Sequence, residues 1–530
     1  MSDVIVIGGG IAGLVAAREC AHLGLKVTVY EATDAVGGAV AAHEVAGLTL
    51  DAGAESFAVR KGAVADFVAG LGLADEIVAP NPAGAWLLLP GTSAGPANPP
   101  ISVPLPKTGV LGIPGSPLAD DVRRVIGWRG AWRAYADRLI PVLKIGREHN
   151  LGELVQKRMG RRVLERLVEP VAGGVYSAPA SDLEVDVVAP GLNAALTTTG
   201  SLSGAVLAMR SSAPAGSAVG GLRGGMSRLV SALIADLEHY GAQIVTGAMV
   251  TALSRTDAAA DPATDETETD ASATARRWRV TVSHAVAPDD ASQDQDQDAS
   301  QPPTSQPPTS LSPTPQSDDG THNVESRFVI VAAPGAAAIG LLAPLGAELA
   351  VTAALNWPSP TAVELATLVL DAPALDSHPR GTGVLVAEGA TGVTAKALTH
   401  VSAKWDWVAE AAGPGRHVIR LSYGRAGERS RTQQLSDAEF QALALHDASV
   451  ILGTEPGASA VVGFARTPWN NALSPATLGA RDRGRAVEEA VAAEDGLEVT
   501  GAWLAGTGLA SVIPHALAAA SRVRHASLLI

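Results

Sequence analysis

Val4–Ile7 is a short β-branched run of the kind that a strand buried on both faces requires. An alanine-rich helix, Ile11–Leu23, follows and stops at Gly24, and Val27–Tyr30 makes a second strand. Residues 3–34 therefore predict a βαβ unit. Further along, Leu118–Ile126, Ala131–Leu143 and Leu151–Leu167 carry apolar side chains at three- and four-residue spacing with arginines between them. That spacing predicts a mostly helical stretch over 112–178, broken by Pro170 and Gly173-Gly174. Arg277–Ser283 alternates as a strand does, and Phe328–Ala332 reads as a buried strand ending at Pro334. Trp405 and Trp407 also alternate like strand residues and are expected to pack.

Between these strands the composition changes abruptly. Residues 257–276 and 285–325 are rich in Asp, Gln, Ser, Thr and Pro, with a tandem Gln-Pro-Pro-Thr-Ser repeat. Segments that bury so little apolar surface do not offset their ordering entropy, so disordered insertions decorating a strand pair are expected. They also hold most of the charge. The chain has 39 Lys plus Arg against 54 Asp plus Glu, a net of −15, and residues 257–325 carry −11 of it. The remaining body is near neutral, which argues against a nucleic-acid binder, because that function needs a cationic surface.

At about 150 residues per domain, 530 residues predict two to four domains. Cys20 is the only cysteine, which excludes an intrachain disulfide and a cysteine-rich metal site; no metal centre is expected. The first residues lack the basic leader of a signal peptide, and a cytoplasmic setting is expected. Three uncharged stretches, Val187–Met209, Phe328–Ala347 and Val499–Ser521, are interrupted by Gly and Pro or by Ser, Thr and Asn. No membrane-spanning helix is expected from them, and at most peripheral membrane contact.

Gly8, Gly10 and Gly13 form G-x-G-x-x-G between the first strand and the helix. The first glycine permits the tight turn, the second lets a diphosphate approach the backbone, and the third allows close helix–strand packing. Ile11 and Ala12 open the helix, whose first N–H groups and dipole favour an anion. Glu31 closes the second strand, where a carboxylate accepts from ribose hydroxyls. Gly37 and Gly38 follow soon after Ala32, and then comes Asp51-Ala52-Gly53-Ala54-Glu55-Ser56-Phe57. Late in the chain, Gly501 to Pro514 reads as a strand end, a glycine turn and a helix start, with the helix expected over His515–Arg524.

These segments resemble the FAD enzymes of the glutathione-reductase and amine-oxidase type. More narrowly, the chain resembles the protoporphyrinogen oxidase and coproporphyrinogen III oxidase family, Gram-positive bacterial type, outside 257–325. The resemblance rests on Asp51–Lys61, Leu105–Pro114, Glu169–Ser177, Gly221–Leu229 and Gly501–Pro514. Ala39 departs from it, standing where relatives often carry Arg or Lys, and Leu473–Gly479 lacks the His usual in relatives.

The resemblance implies an α/β fold: a Rossmann-like FAD-binding domain built from separated segments, an α+β substrate domain and a helical subdomain. The expected boundaries are 1–75, 205–256, 277–284, 326–345 and 490–530 for the FAD domain. The substrate domain is expected over 76–111 and 346–489, and the helical subdomain over 112–204. It further implies cofactor contacts from Gly8, Gly10, Ile11, Ala12, Gly13, Glu31, Ala32, Gly37, Gly38, Gly53, Ala54, Glu55 and Ser56. Val250, Trp503, Gly506, Val512 and Ile513 complete that set. Lys61, Arg60 and Tyr176 are the substrate-side candidates; Lys107, Lys396 and Lys404 are weaker and expected at the surface.

The implied reaction aromatises a porphyrinogen by hydride removal to flavin, with dioxygen reduced to hydrogen peroxide and no obligatory protein base. Coproporphyrinogen III is preferred over protoporphyrinogen IX, because abundant alanine and scarce lysine resemble the Gram-positive group. Handover to a ferrochelatase is an implied partnership. An amine oxidase, a carotenoid desaturase and a non-catalytic flavoprotein remain as alternatives.

Overall fold

The computed structural model describes residues 2–59, 62–91, 99–107, 109–141, 147–211, 219–256, 277–284, 320–359, 362–426, 431–470 and 476–528. Two seven-stranded sheets organise it. In the first, Val27–Tyr30, Ser2–Ile7 and Thr321–Val331 lie side by side and parallel, with Gln243–Val245 outside Val27–Tyr30. Leu497–Val499 also pairs in parallel with the end of Thr321–Val331. Val4–Ile7 is at most 4 % exposed because helices cover both faces of this strand, as the unbroken β-branched run requires. The helices Ile11–His22, Ser227–His239 and Leu509–Leu528 pack on one face, with Cys20 among them. Burial pushes the Cys20 thiol up to about 12, which leaves it protonated and inert.

Ala248–Thr256, Arg277–His284 and Thr321–Val331 extend this sheet as antiparallel ladders. The expected disorder over 285–325 is corrected at its end: Thr321–Glu325 pair with Arg279–Ser283, so the ladder recruits a polar segment whose own pattern carries no strand signal. The rest of that expectation, 285–319, and all of 257–276 lie outside the described residues.

The second sheet runs in the order Val461–Asn470, Ala362–Asp371, Arg416–Tyr423, Ala397–His400, Gly383–Val386, Ala85–Leu89 and Ile101–Pro104. One face packs on the helix Asp437–Leu452 through Leu368, Ile419, Leu421 and Phe440. On the other, Val369 and Val418 meet the hairpin Ala42–Val45/Leu48–Asp51. Leu87 and Leu385 meet a bundle of short helices between 120 and 211. Within that bundle Arg158 donates to buried Asp137 at 2.6 Å, and Ser203 N donates to the same carboxylate at 3.0 Å.

Several helical expectations shift. Asp120–Tyr135 consists of two helical stretches that meet at the non-helical Gly127 (φ 68°, ψ 169°), close to the expected division, and the second ends in a 3-10 turn to Leu139, while 142–143 lie outside the described residues. Gly160 (φ 90°) divides the expected helix 151–167. Pro170 and Gly173-Gly174 do not break the pattern but lie inside the helix Glu169–Tyr176, which continues from the π-helical turn Leu164–Val168. The last helix begins at Leu509 rather than His515, with Pro514 inside it. Trp405 is buried, as expected, but it joins the helices Val401–Lys404 and Asp406–Ala412 and is not a strand residue. No helix of the described residues is long and apolar enough to cross a membrane.

Candidate functional site

The site lies at the carboxyl end of Ser2–Ile7, between its neighbours Val27–Tyr30 and Thr321–Val331, where open parallel sheets leave a crevice. Gly8 adopts φ 105°, and a Cβ there would meet the carbonyl of Ala332 at 2.9 Å. At Gly13 it would lie 1.9 Å from the carbonyl oxygen of Gly8, so only glycine lets helix and loop approach. Gly10 is different: a Cβ there has open space, with no heavy atom within 4 Å. The backbone is thus bared at one glycine while the flanking two are packed. Gly10 is also the N-cap of Ile11–His22 and offers no side-chain acceptor, which leaves first-turn N–H groups of Ile11, Ala12 and Gly13 for an anion.

Glu31 sits at the end of the second strand. Its carboxylate accepts from Gly9 N at 2.7 Å, Thr33 N at 2.9 Å and Thr33 Oγ1 at 2.8 Å, which fixes it beside the loop. Ala32 is exposed next to it. Ala248 N donates to the Glu31 carbonyl and Gly247 N to that of Thr33, both at 2.8 Å, which brings half-buried Val250 to this end of the crevice. Gly37 N donates to Gly9 O at 2.8 Å, so Gly37 and Gly38 form a second glycine wall against Gly10. Ala39 contributes its carbonyl, which accepts from Ala54 N at 2.9 Å.

The loop after Asp51 is held by the second sheet. Arg420 donates to the carbonyls of Asp51 at 3.1 Å and Gly53 at 2.9 Å, and Trp469 Nε1 donates to Ala52 O at 2.9 Å. Met226 N donates to the Asp51 carboxylate at 2.7 Å; burial nevertheless raises that group to about 6. Half-buried Glu55 receives Lys404 at 2.5 Å and Arg420 at 2.8 Å, with half-buried Ser56 beside it. Burial alone would raise the Glu55 carboxyl, but the two cations outweigh it and hold it at about 2. Lys404 is therefore not a surface residue, contrary to expectation, and neither is Lys396, which is 2 % exposed. Lys107 is exposed.

Lys396 donates to Ser177 Oγ and to Gly424 O at 2.7 Å. Burial, with Arg425 nearby, lowers it to about 7. Tyr176, adjacent to Ser177, is half-buried in the helical core; its hydroxyl lies 3.5 Å from Val188 O. Strand register puts Ala397, Thr399 and Ser422 on the face shared by Arg420 and Leu385, and all three are half-buried.

Trp503 packs over Gly335 and meets Trp357 edge-on at 5.5 Å. Gly506 (φ 93°) follows it. Val512 and Ile513 point into the core against Ile11–His22, and Val512 N already donates to Gly508 O at 3.1 Å. Lys61 and Arg60 lie outside the described residues. The first glycine cradle was readable because its groups are adjacent in sequence. Arg420 and Trp469 were missed, and Lys404 was read as a surface residue, because nothing local marks a side chain that bonds a distant loop.

This constellation fits FAD: a bared glycine and helix start for the diphosphate, an acid for the ribose, and a braced loop for the ring. The chain is 25 % identical to coproporphyrinogen III oxidase of Bacillus subtilis (strain 168), an alignment covering 98 % of each. It is 26 % identical to coproporphyrinogen III oxidase of Mycobacterium leprae over 84 % of this chain and 82 % of that one. The crystal structure of a provisionally named protoporphyrinogen oxidase from Exiguobacterium sp. 255-15 shares the fold: TM-score 0.73, 24 % identity, 99 % of each chain covered. Residues 11–308, more than half of the chain, match the family model described as flavin containing amine oxidoreductase, and the chain belongs to that family.

Proposed function

We propose that this FAD-dependent oxidoreductase oxidises coproporphyrinogen III to coproporphyrin III, with dioxygen reduced to hydrogen peroxide. The observation that carries the reading is the end-to-end similarity to the Bacillus subtilis coproporphyrinogen III oxidase, which spans the cofactor crevice, the second sheet and the helices alike. When bound, the flavin supplies the hydride acceptor. The chain's own task is placement. Arg420, Trp469 and Glu55 brace the loop 51–56 that would line the ring. Ala397, Thr399 and Ser422 give the facing sheet a small, uncharged surface suited to a broad planar substrate. Tyr176, together with Lys61 and Arg60, is proposed at the propionate end, where cationic and hydroxyl donors suit carboxylates. The metal-free porphyrin released would be the substrate class that a ferrochelatase consumes.

The test is aerobic incubation of the purified yellow protein with coproporphyrinogen III. Porphyrin fluorescence and peroxide should rise well above the enzyme-free control. Bound FAD without acceleration would instead favour a non-catalytic flavoprotein.

A further inference from the structure

One end of the second sheet meets the helix Glu169–Tyr176 along a seam. A Cβ on Gly174 would lie 2.5 Å from Leu385, so glycine lets the helix settle on the strand Gly383–Val386. Ser177, which caps the helix at φ 57°, takes Ala426 N on its carbonyl at 2.6 Å and Lys396 on its hydroxyl. Lys396 also donates to Gly424 O at 2.7 Å. Next along the chain is Arg425, half-buried, its Nε 3.9 Å from where a Cβ on Gly173 would stand.

Two cations thus share the seam, and both partners of Lys396 are uncharged. Among the described residues Arg425 has no hydrogen bond or ion pair, and neither cation has a carboxylate partner. The only acid of the helix, Glu169, is in its first turn and accepts from Ala180 N at 3.0 Å. Other half-buried arginines are provided for. Arg255, Arg420 and Arg466 each hold a carboxylate at 2.6–2.8 Å, while Arg327 and Arg380 lie over the rings of Phe328 and Trp86. The seam is also continuous with the candidate site. Arg420, which braces the loop after Asp51, pairs with Thr399; one row further on, Ser422 pairs with Ala397 and Ala397 with Leu385. That face ends at Gly173-Gly174 and Arg425, at most about 17 Å from Arg420 along an extended chain.

Resting on the oxidase reading, we propose that Arg425 is a specificity-determining residue that pairs with a carboxylate arm of the porphyrinogen. Its fork of N–H donors matches a carboxylate in a two-bond geometry. An uncharged arm in the same place would leave the guanidinium without an anion. Lys396 is sealed at 2 % exposure and makes no such contact; it fixes Ser177 and Gly424 on either side of Arg425.

The flavin-loaded full chain is titrated with coproporphyrin III and with its tetraamide, the same macrocycle without charges, and followed by porphyrin fluorescence. Arg425→Gln should weaken binding of the tetra-acid about tenfold or more and leave the tetraamide within about twofold. Arg425→Lys should recover part of the loss, since it keeps the charge and loses the fork. Flavin content and thermal midpoint should match wild type in both variants. Equal weakening of acid and amide, weakening of neither, or a wild-type protein indifferent to the charges overturns the proposal. Turnover measured in parallel separates the two readings. A charge contrast that depends on Arg425, in a protein that oxidises no porphyrinogen, upholds the site and refutes the oxidase. Oxidation of coproporphyrinogen III with an unchanged KM in Arg425→Gln refutes the site alone.

Discussion

Arg420 lies 2.8 Å from Glu55, joining the second sheet to the loop that follows the cofactor hairpin. Lys404 approaches the same carboxylate from the other side at 2.5 Å. Glu55→Gln keeps the shape but leaves two half-buried cations without their anion. A loss of about 3–5 kcal/mol in urea unfolding is expected, with weaker flavin retention. The sign of the pH effect follows from a carboxyl held at about 2 against an ordinary 4.5. Its stabilisation is complete above about 4.5 and is lost as pH falls toward 2, a slope the Gln variant should lack.

Gly10 and Gly13 make a matched pair. Gly13→Ala drives a Cβ into the Gly8 carbonyl, so loss of both fold stability and flavin is expected. Gly10→Ala meets nothing in the chain itself, and its backbone (φ −69°) accepts alanine. Its apo-protein should therefore unfold at the wild-type temperature while flavin binds about tenfold or more weakly, since the methyl group occupies the diphosphate's approach. Calorimetry of the apo forms and flavin titration separate the two outcomes.

Lys396 carries a pH signature. Its amine is lowered to about 7 by burial and by Arg425, against an ordinary 10.5. Between those values the unfolded chain binds the proton that the folded chain lacks, so stability rises with pH across this window. One such group contributes up to about 1.4 kcal/mol per pH unit. Lys396→Met should flatten that portion of the stability curve relative to wild type, as followed by denaturant midpoints from pH 7 upward.

Ser283 pairs with Thr321, and His284 N donates to Gly320 O at 3.2 Å, so the two strands are already in hairpin register where residue 284 ends and 320 begins. Replacing 285–319 with a short Asn-Gly turn should preserve flavin content and thermal midpoint. Loss of flavin from that variant would assign the acidic segment a structural role.

The cofactor end was legible because its information is local: three glycines, a short helix and Glu31 lie within one βαβ unit. The parallel neighbour Thr321–Val331 was half legible, through Phe328–Ala332, since only that end is apolar. Two tryptophans at 405 and 407 are too few to separate period 2 from a helix junction. Pro170 reads as a breaker unless the π-helical turn that precedes it is known. The surface expectation for Lys396 and Lys404 followed residue type, and burial of a paired cation is a property of tertiary contacts.

The first sheet assembles strands from residue 2 to residue 499, and the helix Leu509–Leu528 seals its core. The glycine loop near residue 8 is therefore synthesised about 490 residues ahead of the strand and helix that complete its walls. Stable flavin capture must wait for residues 497–528, and chains cut before them should be colourless whatever the supply of cofactor.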